Sequence, residues 1–185
     1  MIITNINKAV DLLLNQKIVA LFQDYSEWGP RALGNRSLLF DPRNVKAKEI
    51  VNKIKQREWW RPFAGTILIE HVNDWFDIGA LKESPYMSFA VLAKDKARKE
   101  IPSIIHEDNT CRIQTLSYKQ NPRFYELINK FYKKTNVPIL LNTSFNLAKE
   151  PLVETLLDAK NVIKRSELEH IYLSLIHISE PTRPY

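Results

Sequence analysis

Short apolar runs separated by helical patterns constrain the fold of this chain more than any other feature of its sequence. The runs Ile18–Phe22, Ala64–Ile69 and Pro138–Leu141 have the length and the apolar content of buried strands. The segment Pro122–Lys134 instead spaces its apolar residues along one helical face, with a proline near its start and lysines at its end. Strands and helices that alternate irregularly predict an α/β (α+β) domain in which helices flank a twisted, mixed β-sheet.

Weaker patterns complete the prediction. We expect further helices at Ala9–Asn15, Val45–Lys55, Val72–Phe76 and Thr155–Lys164, and further strands at Met87–Leu92 and Cys111–Leu116. The segment Gln23–Asn44 contains Gly-Pro-type breakers without a clean period, which predicts a loop with short turns.

The composition bounds the class of protein. A chain of 185 residues is long enough for one domain with a full core. Cys111 is the only cysteine, so a disulfide framework and a CxxC zinc site are excluded, and we expect it to be a small packed residue. We find neither a secretory signal nor an apolar run long enough for a bilayer, and we expect a cytoplasmic protein with no membrane partner.

The formal net charge of +6 favours an anionic partner. Charge alone leaves nucleic acid, a nucleotide and a phosphorylated metabolite open. The distribution of the arginines is more informative, and many of them lie in polar motifs.

The first motif, Ser26–Ser37, carries Arg31 and Arg36 beside two glycines. Guanidinium groups and exposed backbone amides on a turn are suited to a phosphate site. The alternative is a structural turn in which the arginines pair with local acids such as Glu27 and Asp41.

The second motif, Lys53–Phe63, contains four cations and two tryptophans within eleven residues, and the chain turns before Pro62. Lys55, Arg57 and Arg61 are candidate anion ligands, and we expect Trp59 or Trp60 to belong to the core. A basic patch with aromatic residues suits a nucleotide base or nucleic acid. The alternative is a solvated basic helix.

The third motif, Ile105–Gln114, contains His106 and Arg112, which we expect to converge on a ligand. Although His106, Glu107 and Asp108 are adjacent, consecutive loop residues seldom chelate one ion, so we predict no metal site in this chain. The alternative for the residues from Asp108 onward is a turn cap.

The fourth motif follows a predicted buried strand and is dense in short polar side chains. These are Asn142, Thr143, Ser144 and Asn146. Ligands gather at the carboxyl ends of strands in α/β sheets. An Asx or Ser turn that joins a strand to a helix explains the same residues equally well.

The last residues have a different character. The segment Leu173–Arg183 resembles the in-frame translation of a sequencing-library adapter, so we expect native sequence at 1–172 and a non-native tail at 173–185. The alternative is a final strand at Ile171–Ile178.

Four ordered motifs, Ser26–Arg43, Asn52–Pro62, His106–Gln114 and Leu141–Pro151, resemble the C-terminal domain of the nodulation-factor and antibiotic O-carbamoyltransferases. The same stretches are distantly similar to YrdC-type threonylcarbamoyl-AMP synthases. The resemblance implies a YrdC-like fold.

The resemblance also implies an activity. The domain would bind carbamoyl phosphate and ATP, with Mg²⁺ held mainly by the phosphates of ATP, and form carbamoyl-adenylate. A Kae1-like N-terminal domain, normally in the same polypeptide, would hold a divalent metal and pass the carbamoyl group to a hydroxyl acceptor. The ligands of that metal are not in this chain.

Site residues carry over by position. The resemblance assigns catalysis by positioning and charge to Lys55, Arg57 and Arg112, and binding of the substrate or nucleotide to Arg31, Arg36, Arg61, His106, Asn142, Thr143, Ser144 and Asn146. The chain departs from the family at Asp24–Tyr25, where Gly-Arg is usual, and at Asn109, where glycine is usual. The alternative function is an RNA- or nucleotide-binding YrdC-like module without transferase activity, although we do not expect a nucleic-acid partner.

Overall fold

The protein forms one large mixed sheet with helices packed against it. The computed structural model describes residues 2–174. Within them lie the strands β1 (Ile2–Ile3), β2 (Val19–Phe22), β3 (Arg36–Phe40), β4 (Ala64–Leu68), β5 (Phe76–Asp77), β6 (Ala90–Ala93), β7 (Thr110–Leu116), β8 (Ile139–Ser144) and β9 (His170–Leu173). The helices are α1 (Ile6–Leu14), α2 (Ala47–Ile54), α3 (Val72–Trp75), α4 (Asp95–Glu100), α5 (Pro122–Thr135) and α6 (Leu156–Arg165), with 3₁₀ turns at Ile69–His71 and Pro102–Ile104.

The strand order is β1-β9-β2-β3-β8-β4-β7-β6-β5. β1, β9 and β2 run parallel to one another, as do β4 and β7, and the other neighbouring pairs are antiparallel. Every residue of β2, β3 and β4 is buried, so both faces of the sheet are covered there. The predicted fold class, a mixed sheet flanked by helices, is confirmed.

The two helices with the clearest sequence signals have well-defined starts. α5 begins after Asn121, whose side chain accepts a hydrogen bond from the Phe124 amide, and its apolar face is buried as predicted. α6 begins after Thr155, which forms a reciprocal capping box with Asp158. These local signals place both helices within two residues of the predicted bounds.

One predicted segment was wrong, one predicted strand was displaced, and one helix was missed. The expected loop Gln23–Asn44 contains β3, because Leu38–Phe40 is an apolar run that buries completely between β2 and β8. The strand expected at Met87–Leu92 lies later, at Ala90–Ala93, and α4 was missed.

The helix expected to reach Lys55 ends one residue earlier, and Gln56 takes a φ of 53°. Gln56 in this left-handed conformation turns the chain, so Arg57 does not lie on the same helical face as Lys53. It would lie there if the helix continued. The turn brings Arg57 back against α2, where its backbone amide donates to the backbone oxygen of Asn52 at 3.2 Å.

At the end of the described chain, Leu173 of β9 pairs with Phe22 of β2. The backbone amide of the next residue, Ser174, donates to the Phe22 backbone oxygen. Residues 175–185, which hold most of the predicted non-native tail, lie outside the described residues. The boundary at 172 stays a prediction. No helix in residues 2–174 is long and apolar enough to cross a membrane.

Candidate functional site

One face of three neighbouring strands supplies the floor of the candidate site. In β8, Asn142 lies opposite Ala64 of β4, and one residue further along β4 the Gly65–Ile113 pair joins β4 to β7. Because side chains alternate along a strand, Arg112 of β7 projects from the same face as Asn142. The register therefore brings two residues that are 30 positions apart in sequence to one end of the sheet.

A small cleft with a cavity volume of about 80 Å³ opens above this end of the sheet. We call it the arginine cleft, and it is lined by Pro30, Arg31, Ala32, Arg57, Pro62, Phe63, Ala64, Met87, Arg112, Asn142, Thr143 and Ser144. Three of the lining residues are arginines, and none of the lining residues that the structure describes carries a carboxylate. The cleft is therefore a concentrated positive site that suits an anion with several charged oxygens.

Burial and mutual repulsion lower the pKa values of arginines in the cleft. Burial, followed by the charge of Arg31, lowers the pKa of Arg112. Burial, followed by the charge of Arg61, lowers the pKa of Arg57 to about 10. Both groups stay protonated at neutral pH, and an anion bound among them relieves their repulsion.

Arg57 is held in place from two sides. Its Nε donates to the Asn52 side-chain oxygen at 2.6 Å, and its guanidinium lies 4.7 Å from the centre of the Phe63 ring. Asn52 is buried and in turn donates to the backbone oxygens of Trp59 and Arg61. These contacts fix Arg57 before a ligand arrives and leave its terminal nitrogens to the cleft.

Lys55 does not line the cleft but lies directly behind it. Its buried Nζ contacts the backbone oxygens of Ser144 at 2.6 Å and Asn146 at 2.9 Å, and the Asn146 side-chain oxygen at 2.8 Å. Burial, with a contribution from Arg57, lowers the pKa of Lys55 to about 7. Lys55 therefore connects the end of α2 to the end of β8 and fixes the position of the chain from Ser144 to Asn146.

A buried hydrogen-bond network supports the floor. Thr66 donates to Gln114 at 2.8 Å, and the side-chain nitrogen of Asn142 donates to Thr66 at 2.9 Å. Gln114 and Asn142 also donate to the backbone oxygens of Leu33 and Ala32, respectively. The network locks the loop that carries Arg31 onto three strands. Sequence reasoning missed Thr66 and Gln114, although the polar alternation in β7 was a signal for Gln114.

Arg36 is a scaffold residue in this geometry. Its guanidinium donates to the backbone oxygens of Gln23 at 2.6 Å and Glu154 at 3.3 Å, and it stacks 3.7 Å from the centre of the Phe22 ring. It is 4% exposed and does not line the arginine cleft. Burial lowers its pKa. The prediction that Arg36 contacts the ligand is not supported by this placement.

The alternative of a structural turn applies in part to this loop, because Glu27 and Arg36 attract each other while Glu27 binds the backbone of the loop. Glu27 accepts hydrogen bonds from the backbone amides of Leu33, Asn35 and Arg36 at 2.8, 3.0 and 3.1 Å, respectively. Burial raises the pKa of this carboxyl. Glu27 thus closes the first motif through backbone amides, while Asp41 pairs with Arg43 instead of with an arginine of the motif.

Three further predicted residues lie outside the arginine cleft. Arg61 is exposed and pairs with Glu58 at 2.7 Å. Asn146 lies behind the cleft, where it accepts from Lys55. His106 lines a neighbouring cleft that shares Pro62 and Phe63 with the arginine cleft, so the structure does not place His106 and Arg112 in one cleft. Their convergence on one ligand stays a prediction.

The expected turn cap in the third motif is present, since Asp108 accepts from the Thr110 amide at 2.9 Å. Cys111 is completely buried, as expected for a packed residue, and burial raises its pKa to about 12. Neither tryptophan of the second motif belongs to the core, because Trp59 and Trp60 are 70% and 56% exposed.

Solved structures with this architecture define the class of domain. The full-length HypF structure in its phosphate- and nucleotide-bound form aligns with a TM-score of 0.67 at 19% identity, over 93% of this chain and 25% of that one. The Sua5 structure from P. abyssi, complexed with L-threonine, aligns with a TM-score of 0.65 at 12% identity, over 94% of this chain and 50% of that one. The protein is therefore an α/β domain of the YrdC/Sua5-like fold.

Sequence comparison gives the family. The family model described as Carbamoyltransferase C-terminus matches residues 10–180, and the chain belongs to this family. It is 39% identical over 178 residues to the nodulation protein NolNO of Sinorhizobium fredii, covering 95% of this chain and 26% of that protein. It is 40% identical over 165 residues to the nodulation protein NolO of Bradyrhizobium diazoefficiens, covering 88% and 30%. The chain thus spans less than a third of the length of these relatives.

Proposed function

We propose that this chain is the carbamoyl-activating part of a longer O-carbamoyltransferase and that it binds carbamoyl phosphate and ATP in the arginine cleft. The observation that carries the proposal is the lining of that cleft, in which Arg31, Arg57 and Arg112 face one space and none of the described lining residues carries a carboxylate. Membership of the carbamoyltransferase C-terminal family supports the choice of substrates.

The chemistry needs charge stabilisation more than a covalent nucleophile. One carbamoyl phosphate, one ATP and one water balance to carbamoyl-adenylate, pyrophosphate and phosphate. Water releases phosphate and leaves carbamate, and a carbamate oxygen then displaces pyrophosphate from the α-phosphorus of ATP. Negative charge accumulates on the phosphoryl oxygens, and fixed guanidinium groups such as Arg57 are placed to stabilise it.

Other components of the reaction fall outside these residues. Mg²⁺ would arrive with ATP and be held mainly by the phosphates. Among residues 2–174, no group of three or more His, Cys, Asp or Glu side chains is arranged to hold a metal ion. The Kae1-like domain, its metal and the acceptor hydroxyl belong to the rest of the proposed enzyme.

Binding and turnover test the proposal with the purified chain. Calorimetry is expected to detect ATP and pyrophosphate binding, and incubation with carbamoyl phosphate, ATP and Mg²⁺ is expected to release pyrophosphate. Arg57→Ala is expected to weaken ATP and pyrophosphate binding by about tenfold or more and to slow pyrophosphate release. Arg61→Ala, which removes an exposed arginine paired with Glu58, is the matched control. Absence of both ATP binding and turnover in the wild type would contradict the proposal.

Exposed tryptophans favour a second candidate function. Trp28, Trp59 and Trp60 are 95%, 70% and 56% exposed, and aromatic rings beside cations can stack on the bases of single-stranded RNA. If RNA is the partner, its affinity falls steeply with salt because phosphate contacts release counterions. Replacement of the three tryptophans by alanine then weakens RNA binding and leaves ATP binding unchanged.

A further inference from the structure

The loop between β2 and β3 is folded around one carboxylate. Glu27 Oε1 accepts hydrogen bonds from the backbone amides of Leu33 at 2.8 Å and Asn35 at 3.0 Å. Its second oxygen, Oε2, accepts from the backbone amide of Arg36 at 3.1 Å. These three bonds join the two ends of the segment 28–32, which carries Arg31. The carboxylate therefore closes the part of the loop that brings Arg31 to the arginine cleft.

The sheet holds this segment on one side only. Buried side-chain amides of β8 and β7 donate to the backbone oxygens of Ala32 at 3.2 Å and Leu33 at 2.9 Å, respectively, which fixes the chain directly after Arg31. Before Arg31, residues 28–30 are exposed, and within residues 2–174 their side chains form no hydrogen bond. On that side the bonds of Glu27 are the nearest that hold the backbone in place.

Arg31 depends on this backbone for its position. Its side chain is exposed, and no described residue makes a hydrogen bond or an ion pair with its guanidinium. Arg57, by contrast, is held by a hydrogen bond to Asn52 and by the Phe63 ring. A loop that opened would therefore move Arg31 away from the cleft and leave Arg57 in place.

The carboxylate does not serve the stability of the fold. Burial raises the pKa of Glu27 even though three amides donate to its oxygens. At neutral pH its ionisation therefore opposes folding, because the unfolded chain ionises more easily. A carboxylate that costs stability and orders a loop is what a positioning role predicts.

We propose that Glu27 is a positioning residue, whose carboxylate holds the loop closed so that Arg31 faces the arginine cleft. This assignment rests on the proposed function, since it takes an anion in the cleft as the ligand. Glu27 does not line the cleft and acts on the anion through Arg31. Charge alone gives the opposite expectation, because removing a negative group strengthens the attraction of the chain for an anion. The sign of the effect thus separates positioning from simple electrostatics.

Pyrophosphate calorimetry with variants of Glu27 measures that sign. Glu27→Ala is expected to weaken pyrophosphate binding by about threefold to tenfold, the upper value being the worth of one charge-assisted contact. Glu27→Gln has the same charge as Glu27→Ala but keeps an oxygen for the amides of Leu33 and Asn35, so it is expected to recover part of the affinity. Affinity in Glu27→Ala equal to or above that of the wild type overturns the inference.

The matched control is Glu49→Ala, which removes the same charge from an exposed position of α2 and is expected to keep or slightly raise the affinity. A double-mutant cycle tests the route through Arg31. In Arg31→Ala, the further change Glu27→Ala is expected to alter the affinity by less than about twofold, because the group that Glu27 positions is already gone. Losses that simply add would overturn the inference.

Hydrogen exchange tests the same coupling without a variant of Glu27. A ligand that requires the closed loop stabilises it, so pyrophosphate is expected to slow amide exchange at Leu33 and Asn35 in the wild type but not in Arg31→Ala. Unchanged exchange in the wild type overturns the inference even if the Glu27 variants fail to fold, and it leaves the proposed function standing. If the wild type does not bind pyrophosphate, the proposed function fails and the inference fails with it.

Discussion

The side-chain nitrogen of Lys55 lies 2.6 Å from the backbone oxygen of Ser144, and this buried amino group holds the chain at the end of β8. Within residues 2–174, the oxygens that contact this nitrogen come from Ser144 and Asn146, and none of them belongs to a carboxylate. Most buried lysines are paired with an acid. Here the acid is replaced by carbonyl and hydroxyl dipoles, which keeps negative charge away from the neighbouring arginines.

Replacing Lys55 by methionine tests how much this arrangement stabilises the fold. The variant leaves the carbonyls of Ser144 and Asn146 without their donor, and the loss of free energy of unfolding is expected to be about 2–4 kcal/mol, the cost of two unpaired buried acceptors. Urea unfolding followed by circular dichroism measures it. A variant as stable as the wild type would show that the contacts of Lys55 contribute no net stability.

The same residue predicts a pH dependence. The pKa of Lys55 is lowered from 10.5 to about 7, so between these values the unfolded chain binds a proton that the folded chain does not. Stability therefore rises with pH from about 7 toward 9, and this rise is absent from Lys55→Met. Comparing the two proteins at each pH removes the opposite contribution of Cys111, whose raised pKa lowers stability above pH 9. Parallel curves for the two proteins would mean that Lys55 stays charged in the fold.

Arg57→Ala is expected to separate binding from folding. The substitution removes one guanidinium from the cleft, and pyrophosphate affinity is expected to fall by about tenfold or more, the worth of a charge-assisted contact. Stability changes by only about 1 kcal/mol, because the lost bond to Asn52 is offset by relief of the repulsion from Arg61 and Arg112. Calorimetry and thermal unfolding give both values. A large loss of stability with normal affinity would identify Arg57 as a structural residue.

Arg36→Met is expected to show the opposite pattern. The guanidinium of Arg36 bridges Gln23 and Glu154 from a buried position, so its loss is expected to cost about 3 kcal/mol of folding free energy. The protein that remains folded is expected to bind pyrophosphate as the wild type does. A selective loss of affinity would return Arg36 to the binding site predicted from the sequence.

Gly34 provides a test of packing beside the first motif. Its φ is 113°, and a Cβ there would lie 2.2 Å from the Phe124 ring, so Gly34→Ala is expected to cost about 3 kcal/mol or more. Gly79→Ala is the matched control, because Gly79 also has a positive φ of 56° but open space around it. The control is expected to cost only about 1–2 kcal/mol, the penalty of a left-handed residue. Equal losses in both variants would assign the whole effect to the backbone.

Local patterns in the sequence predicted most of the elements but not how their ends are used. The helix at Pro122–Lys134 was predicted nearly to its bounds, because its cap and its apolar face are local signals. β3 was missed, because the breakers before it are local and its pairing with β8 is not. A strand that becomes buried between two neighbouring strands of a sheet has no local sequence signal other than a short apolar run.

The candidate site divides in the same way. Arginine-rich motifs drew attention to Arg31, Arg57 and Arg112, which the structure places around one cleft. Spacing in the sequence did not predict that His106 would line a separate cleft. The path of the segment before β4 decides which cleft each residue lines, and only the folded chain shows that path. The burial of Arg36 depends on Phe22 and Glu154, whose proximity only the folded chain establishes.

The position of β9 has a consequence for synthesis. This strand, the last one described, lies between β1 and β2, which are both synthesised well before it. A ribosome therefore releases β1 and β2 long before the strand that joins them exists, and β1 has no neighbour in the sheet other than β9 among the described strands. Until Ile171 leaves the exit tunnel, the nascent sheet exposes the edge of β2, and a chaperone that protects such edges would act during that interval.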